Sequence, residues 1–149
     1  FYRGIDWPIV FMLAAMIPIG TALQTTGVSS LIATLISQHA ADLSLFWILL
    51  IILIVTMATT DIINNAATAV IMAPISTGIA IELGYSIEPF LMVVAVGASC
   101  AFLTPIGHQC NTVVMGPGNY KFTDYWRMGL PMDILIILAT IPMILFVWT

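Results

Sequence analysis

Long apolar stretches separated by short polar segments run along almost the whole chain. Three of them, 7–23, 28–37 and 43–57, fall within residues 1–57, and another covers 130–149. Because a spanning helix needs about 20 apolar residues, these stretches predict membrane spans, the second short enough to be tilted or packed inside protein. Residues 89–119 are apolar but interrupted, which predicts a broken helix and brings the total to about five spans.

Two polar segments interrupt apolar sequence where the bilayer core is expected. Residues 59–68 place polar side chains at six of ten positions, directly before the apolar stretch 69–83, and residues 103–111 interrupt the predicted broken helix. Non-helical backbone at membrane depth is tolerated only where it lines a cavity or is buried in protein, since unsatisfied polar groups are costly in hydrocarbon. The first segment therefore predicts a re-entrant helical hairpin over 58–84, and both segments predict a polar site.

The few basic residues support this hairpin. If residues 64–83 enter and leave the membrane on one side, Arg3, Lys121 and Arg127 all lie on the cytoplasmic side, as the positive-inside rule requires. If the same residues formed an ordinary span, Arg3 would lie opposite the other two. We therefore expect an integral membrane protein of the bacterial inner membrane with these three residues facing the cytoplasm.

The composition agrees with a membrane protein. The 149 residues are 61% hydrophobic and 7% charged, whereas an ordinary soluble domain has roughly 25% charged residues. So few charges cannot cover a soluble surface, which excludes a cytosolic enzyme, a nucleic-acid binder and a disordered tail. The chain begins at Phe1 without a basic leader, so we expect a piece of a longer protein. Cys100 and Cys110 are expected to be small apolar fillers and not a disulfide.

Single residues in the two polar segments leave alternatives open. Asn64 and Asn65 fit an external loop as well as a buried turn. Asp61 is slightly more typical of a solvated loop acid than of a carboxylate on a transport pathway. His108 taken alone is more often a hydrogen-bonded structural residue than a ligand, although a protonated ring would add positive charge to an anion site.

Taken together, the polar segments resemble paired motifs of the divalent anion–sodium symporter family. Residues 61–75 (DIINNAATAVIMAPI) resemble its second Ser-Asn-Thr hairpin, and residues 97–107 (GASCAFLTPIG), followed by Asn111 and the Gly-Pro-Gly at 116–118, resemble its second broken helix and the exit from it. Three further segments complete the resemblance. Residues 124–129 match the family's usual approach to the last span, and residues 5–7 and 24–27 fit the start of its second repeat. The resemblance therefore covers essentially the whole chain.

This resemblance implies an all-α polytopic membrane protein, half of an inverted-repeat elevator transporter. Residues 1–149 would form its second repeat alone, as a single transmembrane unit. Members of the family carry sulfate or di- and tricarboxylates together with sodium, so sodium is the implied co-transported ion and no organic cofactor is expected. The implied partners are the small anion, the lipid bilayer, the missing first repeat and a second copy in a homodimer, with no nucleic acid.

The resemblance also implies which residues bind. The implied sodium site consists of Thr60, Ile63, Asn65 and Gly107, with Ile63 and Gly107 contributing backbone carbonyls. Asn65 is implied to contact the substrate as well. The expected substrate contacts are polar side chains of the two segments: Asn64, Asn65, Thr68, His108 and Asn111.

Ala66 departs from the family pattern. The triplet Ser-Asn-Thr is Asn64-Asn65-Ala66 here, so the Thr hydroxyl that usually meets a substrate carboxylate is absent. This weakens a dicarboxylate assignment and leaves sulfate or another small oxyanion at least as well supported. The chain also has no cluster of Lys or Arg to hold an anion, so a co-bound cation would have to offset the anion's charge.

Three other functions stay open. An arsenite or sodium–proton carrier of the wider ion transporter superfamily would need a titratable carboxylate, for which Asp61 is the candidate near a break. An inactive fragment or assembly subunit would depend on the missing first repeat. An intramembrane enzyme would have to use residues that show no metal-site spacing, namely His39, His108, Cys100, Cys110 and Asp61.

Overall fold

The computed structural model describes residues 43–148 without a gap, together with positions 11, 14–15, 18, 21–22, 25–28, 31–32 and 34–35. Residues 43–148 form five helices: α1 Leu45–Thr60, α2 Asn65–Glu82, α3 Ile87–Ala98, α4 Gln109–Met115 and α5 Phe122–Trp148. No strand occurs in this stretch, so the predicted all-helical class is confirmed for it. The spans predicted at 7–23 and 28–37, and Arg3, lie outside the continuously described residues.

Helix α1 is apolar on every side until its last turns, where threonines accumulate. Such a helix is typical of a protein core or of a membrane. Thr56 is fully buried and donates its hydroxyl hydrogen to the carbonyl of Ile52 at 2.6 Å, so it is satisfied within its own helix. Thr60, the last residue of α1, is equally buried, but its hydroxyl contacts other segments.

Residues 61–64 end α1 and start α2. Asn64 has an extended backbone, and its side-chain oxygen accepts a hydrogen bond from the N–H of Ala67 at 2.8 Å, which makes Asn64 the N-cap of α2. At the other end, Gly84 adopts a left-handed φ of 72°, which a glycine takes up without strain. Between these ends α2 is uninterrupted, although it contains Pro74.

The chain reverses at residues 61–64 and not inside 64–83, where the sequence predicts the hairpin. Ile48, early in α1, and Ile79, late in α2, line one apolar pocket, so the two helices run side by side in opposite directions. Pro74 removes one hydrogen bond from α2 without reversing it, because a reversal needs several consecutive non-helical residues. The hairpin therefore has α1 and α2 as its arms, with boundaries that differ from the predicted 58–84.

This arrangement changes the predicted membrane topology. Because α2 is one uninterrupted helix, the residues before α1 and after α2 lie on the same side of a bilayer, whereas a hairpin within 64–83 would place them on opposite sides. The prediction that Arg3, Lys121 and Arg127 all lie on the cytoplasmic side depended on a hairpin within 64–83. Without that hairpin, the prediction loses its support.

The second half of the chain contains a helix interruption and a long last helix. A non-helical segment, 99–108, separates α3 from the short α4, within the region predicted as a broken helix. Helix α5 begins at Phe122, ahead of the predicted boundary at 130, and continues through Pro131 and Pro142. By length and composition, α2 and α5 are long and apolar enough to cross a membrane, and α1 and α3 are shorter apolar helices.

Helix α3 lies at the centre of the described fold, in contact with α1, α2 and α5. Its Phe90 and Val93 are fully buried, as are Leu49 and Leu53 on α1. The outer face of α5, in contrast, exposes large apolar side chains, a pattern that marks a surface covered by lipid or by protein. These exposed side chains include Met128, Leu135, Leu138, Met143 and Phe146.

Gly97 allows α3 to approach α1 closely. A Cβ at this position would lie 2.9 Å from Thr56 Cβ and 3.2 Å from Leu53 Cδ1. We expect Gly97→Ala to lower the free energy of unfolding by about 1–3 kcal/mol, because overpacking forces neighbouring backbone to shift. Thermal unfolding of the purified protein in detergent measures this loss. Gly116→Ala is the matched control, since a Cβ there meets nothing within 4 Å, and equal melting temperatures would contradict the close packing.

Candidate functional site

Two non-helical segments meet at one end of the α1–α2 hairpin: residues 61–64, which we call the tip, and residues 99–108, which we call the loop. A Cβ on Gly107 would lie 2.8 Å from the carbonyl oxygen of Thr60 and 3.1 Å from the Cα of Asp61. Only glycine fits so close to another backbone. The loop therefore packs directly on the tip and the end of α1.

Side chains from α4 and α5 hold the loop in shape. Asn111 donates amide hydrogens to the carbonyls of Ala101, at 2.8 Å, and Thr104, at 3.1 Å. Tyr125 on α5 donates its hydroxyl hydrogen to the carbonyl of Asn111 at 2.6 Å. These bonds replace the helical hydrogen bonds that the interruption removes, so the loop has a defined conformation.

Thr60 brings three oxygen atoms together beside the tip. Its hydroxyl oxygen lies 2.9 Å from Asn65 Oδ1 and 2.9 Å from the carbonyl oxygen of Ala98. One hydroxyl hydrogen serves only one of these acceptors at a time. Ala98 ends α3, where the helix dipole places partial negative charge. This oxygen cluster, of Thr60, Asn65 and Ala98, therefore has the ligand type and the charge that suit a small cation.

A pocket opens beside the oxygen cluster, between the start of α2 and the end of the loop. Its lining residues are Asn64, Asn65, Ala66, Ile106, Gly107, His108 and Gln109. Within the part of the chain that the structure describes, the backbone N–H groups of Asn65 and Ala66 make no hydrogen bond, as is usual in the first turn of a helix. Free N–H groups at the positive end of a helix dipole suit an anion.

Three of the four residues implied as a sodium site, Thr60, Asn65 and Gly107, lie close together here. Asn65 and Gly107 line the same pocket, and Thr60 contacts Asn65 through its hydroxyl and approaches Gly107 through its carbonyl. The fourth, Ile63, lies in the tip and lines a separate pocket with residues of α1. The carbonyl oxygens of Ile63 and Gly107 accept no hydrogen bond from any residue that the structure describes, so both are available as ligands.

Three of the expected substrate-contacting residues line the pocket: Asn64, Asn65 and His108. Two of them, Asn64 and His108, also cap helices. The oxygen of Asn64 caps α2, and His108 Nδ1 accepts a hydrogen bond from the N–H of Cys110 at 3.2 Å, which caps α4. Their remaining polar atoms are left for a ligand.

Thr68 and Asn111, the other two expected contacts, lie elsewhere. Thr68 is fully buried in α2, its hydroxyl has no hydrogen-bond partner among the residues that the structure describes, and it does not line the pocket. Asn111 uses its amide group to hold the loop. The structure therefore separates these two side chains from the pocket.

Asp61 differs from the solvated loop acid that the sequence slightly favours. It is only 5% exposed. Its Oδ1 accepts a hydrogen bond from the N–H of Leu103, 42 residues away, at 3.0 Å. The carbonyl of Ala98 is a second feature that the sequence does not reveal, since a backbone oxygen has no signature of its own.

Charge near the pocket comes from few side chains. Among the described residues, Lys121 and Arg127 are the only Lys or Arg, and neither lines the pocket. An anion there would be met by N–H and amide groups. The described residues include no group of three or more His, Cys, Asp or Glu placed to hold a metal ion, and Cys100 and Cys110 are both free.

Known proteins share this sequence pattern. A family model described as "Citrate transporter" matches residues 1–97. An uncharacterized transporter of Synechocystis sp. is 38% identical over 147 residues, which cover 99% of this chain and 24% of that protein. The uncharacterized transporter YfbS of Escherichia coli is 37% identical over 143 residues, covering 96% of this chain and 23% of that protein.

A relative with a more specific name is sodium/sulfate cotransporter 2 of Chlamydomonas reinhardtii. It is 29% identical over 138 residues, which cover 92% of this chain and 16% of that protein. The chain thus spans about a quarter or less of the length of these curated relatives.

Proposed function

The chain belongs to the citrate transporter family, and from this premise we propose that it forms part of a sodium-coupled carrier of a small divalent anion, sulfate or a di- or tricarboxylate. Membership makes the protein an integral membrane transporter and not an enzyme. The relative named as a sodium/sulfate cotransporter supports sodium as the coupling ion and sulfate as a candidate. The bacterial inner membrane as its location is part of the same proposal.

One observation carries the proposal: the oxygen cluster and the anion-suited pocket share Asn65. Its Oδ1 contacts Thr60, and the residue opens α2, whose free N–H groups lie at the pocket. We propose that sodium binds oxygens of Thr60, Ile63, Asn65 and Gly107 while the anion binds at the start of α2. Opposite charges so close favour each other's binding, which is the physical basis of coupling.

The proposed carrier needs chain beyond these residues. The pocket is open, since Asn64 and His108 on its rim are exposed, and the chain spans only part of its relatives. We propose that a first repeat completes the site and that the complete carrier works as a homodimer with an elevator motion. Residues 1–149 alone are then expected to transport nothing.

Uptake of radiolabelled sulfate into proteoliposomes that contain the complete carrier tests this function. We expect uptake under an inward sodium gradient and none when choline replaces sodium and the proton gradient is collapsed. Unlabelled succinate and citrate, added in competition, distinguish a sulfate carrier from a carboxylate carrier. Equal uptake in choline buffer would refute sodium coupling. Sodium efflux driven by a pH gradient and lost in Asp61→Asn would favour the sodium–proton carrier instead.

A further inference from the structure

Asp61 connects the tip to the loop through two hydrogen bonds. Its Oδ1 accepts the N–H of Leu103 at 3.0 Å, and its backbone carbonyl accepts the hydroxyl hydrogen of Thr104 at 2.6 Å. The partners are 42 and 43 residues away along the chain. Asp61 is nearly fully buried, so water does not compete strongly for these bonds.

Thr104 extends this connection to Gly107. Its hydroxyl oxygen accepts a hydrogen bond from the N–H of Gly107 at 3.1 Å while its hydrogen goes to Asp61. Gly107 in turn lies so close to the end of α1 that a Cβ would be 2.8 Å from the Thr60 carbonyl oxygen. A continuous chain of contacts therefore links Asp61, through Thr104 and Gly107, to the end of α1.

We propose that Asp61 is a positioning residue for the cation site: by docking the loop through Leu103 and Thr104, it holds the Gly107 carbonyl beside the oxygens of Thr60 and Asn65. This inference rests on the proposed sodium-coupled function. Asp61 does not line the pocket, and its Oδ1 and backbone carbonyl are both engaged by the loop, while Oδ2 has no hydrogen-bond partner among the described residues. It acts on sodium binding through the loop.

Asp61 and Thr104 can each be varied with a conservative partner. Asp61→Ala removes the acceptor for Leu103, whereas Asp61→Asn keeps an oxygen in its place. Thr104→Val removes the hydroxyl at nearly constant shape, whereas Thr104→Ser retains it. Thr77→Val is the matched control, because the Thr77 hydroxyl bonds only the carbonyl of Ala73 in its own helix.

The readout is sulfate uptake by the complete carrier in proteoliposomes, measured at varied sodium and at varied sulfate. Asp61→Ala and Thr104→Val are expected to raise the half-saturating sodium concentration about tenfold, the size of one lost hydrogen bond near a charge. The KM for sulfate at saturating sodium should stay near the wild-type value. Asp61→Asn, Thr104→Ser and Thr77→Val should retain sodium dependence close to that of the wild type.

A purely structural role would lower the amount of folded carrier without moving the half-saturating sodium concentration. That result in both Asp61→Ala and Thr104→Val would overturn the positioning role. Complete loss of uptake by well-folded Asp61→Asn would overturn it too, because asparagine keeps the acceptor oxygen. If Asp61→Ala or Thr104→Val yields too little protein for uptake, the other of these two variants tests the positioning role through the sodium-dependent rise in its melting temperature. A loss of that rise supports the role, and a full rise overturns it. A wild-type carrier without sodium dependence would refute the proposed function itself, whatever the variants do.

Discussion

Asn65→Ala is expected to lower sodium-driven sulfate uptake by roughly a hundredfold or more, while the carrier still folds and inserts. The substitution removes Oδ1, which lies 2.9 Å from the Thr60 hydroxyl oxygen, and the amide group that lines the pocket. A hydrogen bond or similar contact to a charged group contributes about 1.5–3 kcal/mol. The loss of one contact to the cation and one to the anion therefore corresponds to a hundredfold or greater decrease in uptake.

Initial uptake rates per milligram of reconstituted carrier measure this effect. Asn119→Gly is a suitable control, since it removes an amide side chain at an exposed position with a φ of 51°, which glycine accepts. Gel filtration in detergent establishes that both variants are folded to the same extent. Wild-type rates in Asn65→Ala would show that the start of α2 does not bind the transported ions.

Substitution of Gly107 should give the second large effect on uptake, because a larger side chain displaces the loop and not because a polar group is lost. A Cβ there would lie 2.8 Å from the Thr60 carbonyl oxygen and 2.9 Å from the Ala101 Cβ. Because the nearest atom belongs to backbone that cannot rotate away, the loop must move off the tip, at a cost of about 1–3 kcal/mol. We expect Gly107→Ala to reduce uptake more than tenfold and Gly107→Val to abolish it.

The melting temperature of the carrier, measured with and without sodium, separates this displacement from general unfolding. In the wild type, sodium should raise the melting temperature, because a ligand stabilises the state that it binds. In Gly107→Ala the protein should remain folded but lose most of that rise. Gly116→Ala, whose Cβ meets no atom within 4 Å, should keep it. A full sodium-dependent rise in Gly107→Ala would mean that the loop contributes nothing to cation binding.

The family assignment could be reached from the sequence because its evidence is local. The resemblance to the divalent anion–sodium symporters, drawn from residues 61–75 and 97–107, is confirmed by the family match and by relatives named as sodium/sulfate cotransporters. The polar interruptions were also visible, since six polar residues within 59–68 stand out against apolar surroundings. Their roles in binding stay predictions.

Helix boundaries were harder to derive, and the hairpin shows why. Pro74 and Gly78 look like interruptions in sequence, yet α2 runs through both. A single proline costs a helix one hydrogen bond, which packing of the helix against its neighbours can offset. Residues 61–64, in contrast, are non-helical, and Asn64 caps the helix that follows them. Asparagine is a common N-cap residue, but the sequence alone showed neither that Asn64 begins α2 nor that α1 is the other arm of the hairpin.

By itself, the sequence determined that the chain is largely helical, belongs to a transporter family and has two polar interruptions, because hydropathy and motif residues act over short stretches of chain. Only the tertiary structure decided which polar groups share a site. It placed Thr60, Asn65 and Gly107 together, used Asn111 to hold the loop, and buried Asp61 against Leu103. The physical reason is that the contacts of Asp61 with Leu103 and of Gly107 with Thr60 join groups far apart in the chain, and several of the contacts involve backbone atoms that every residue possesses. Their positions follow from the packing of α3 against α1 and α2, which no local pattern encodes.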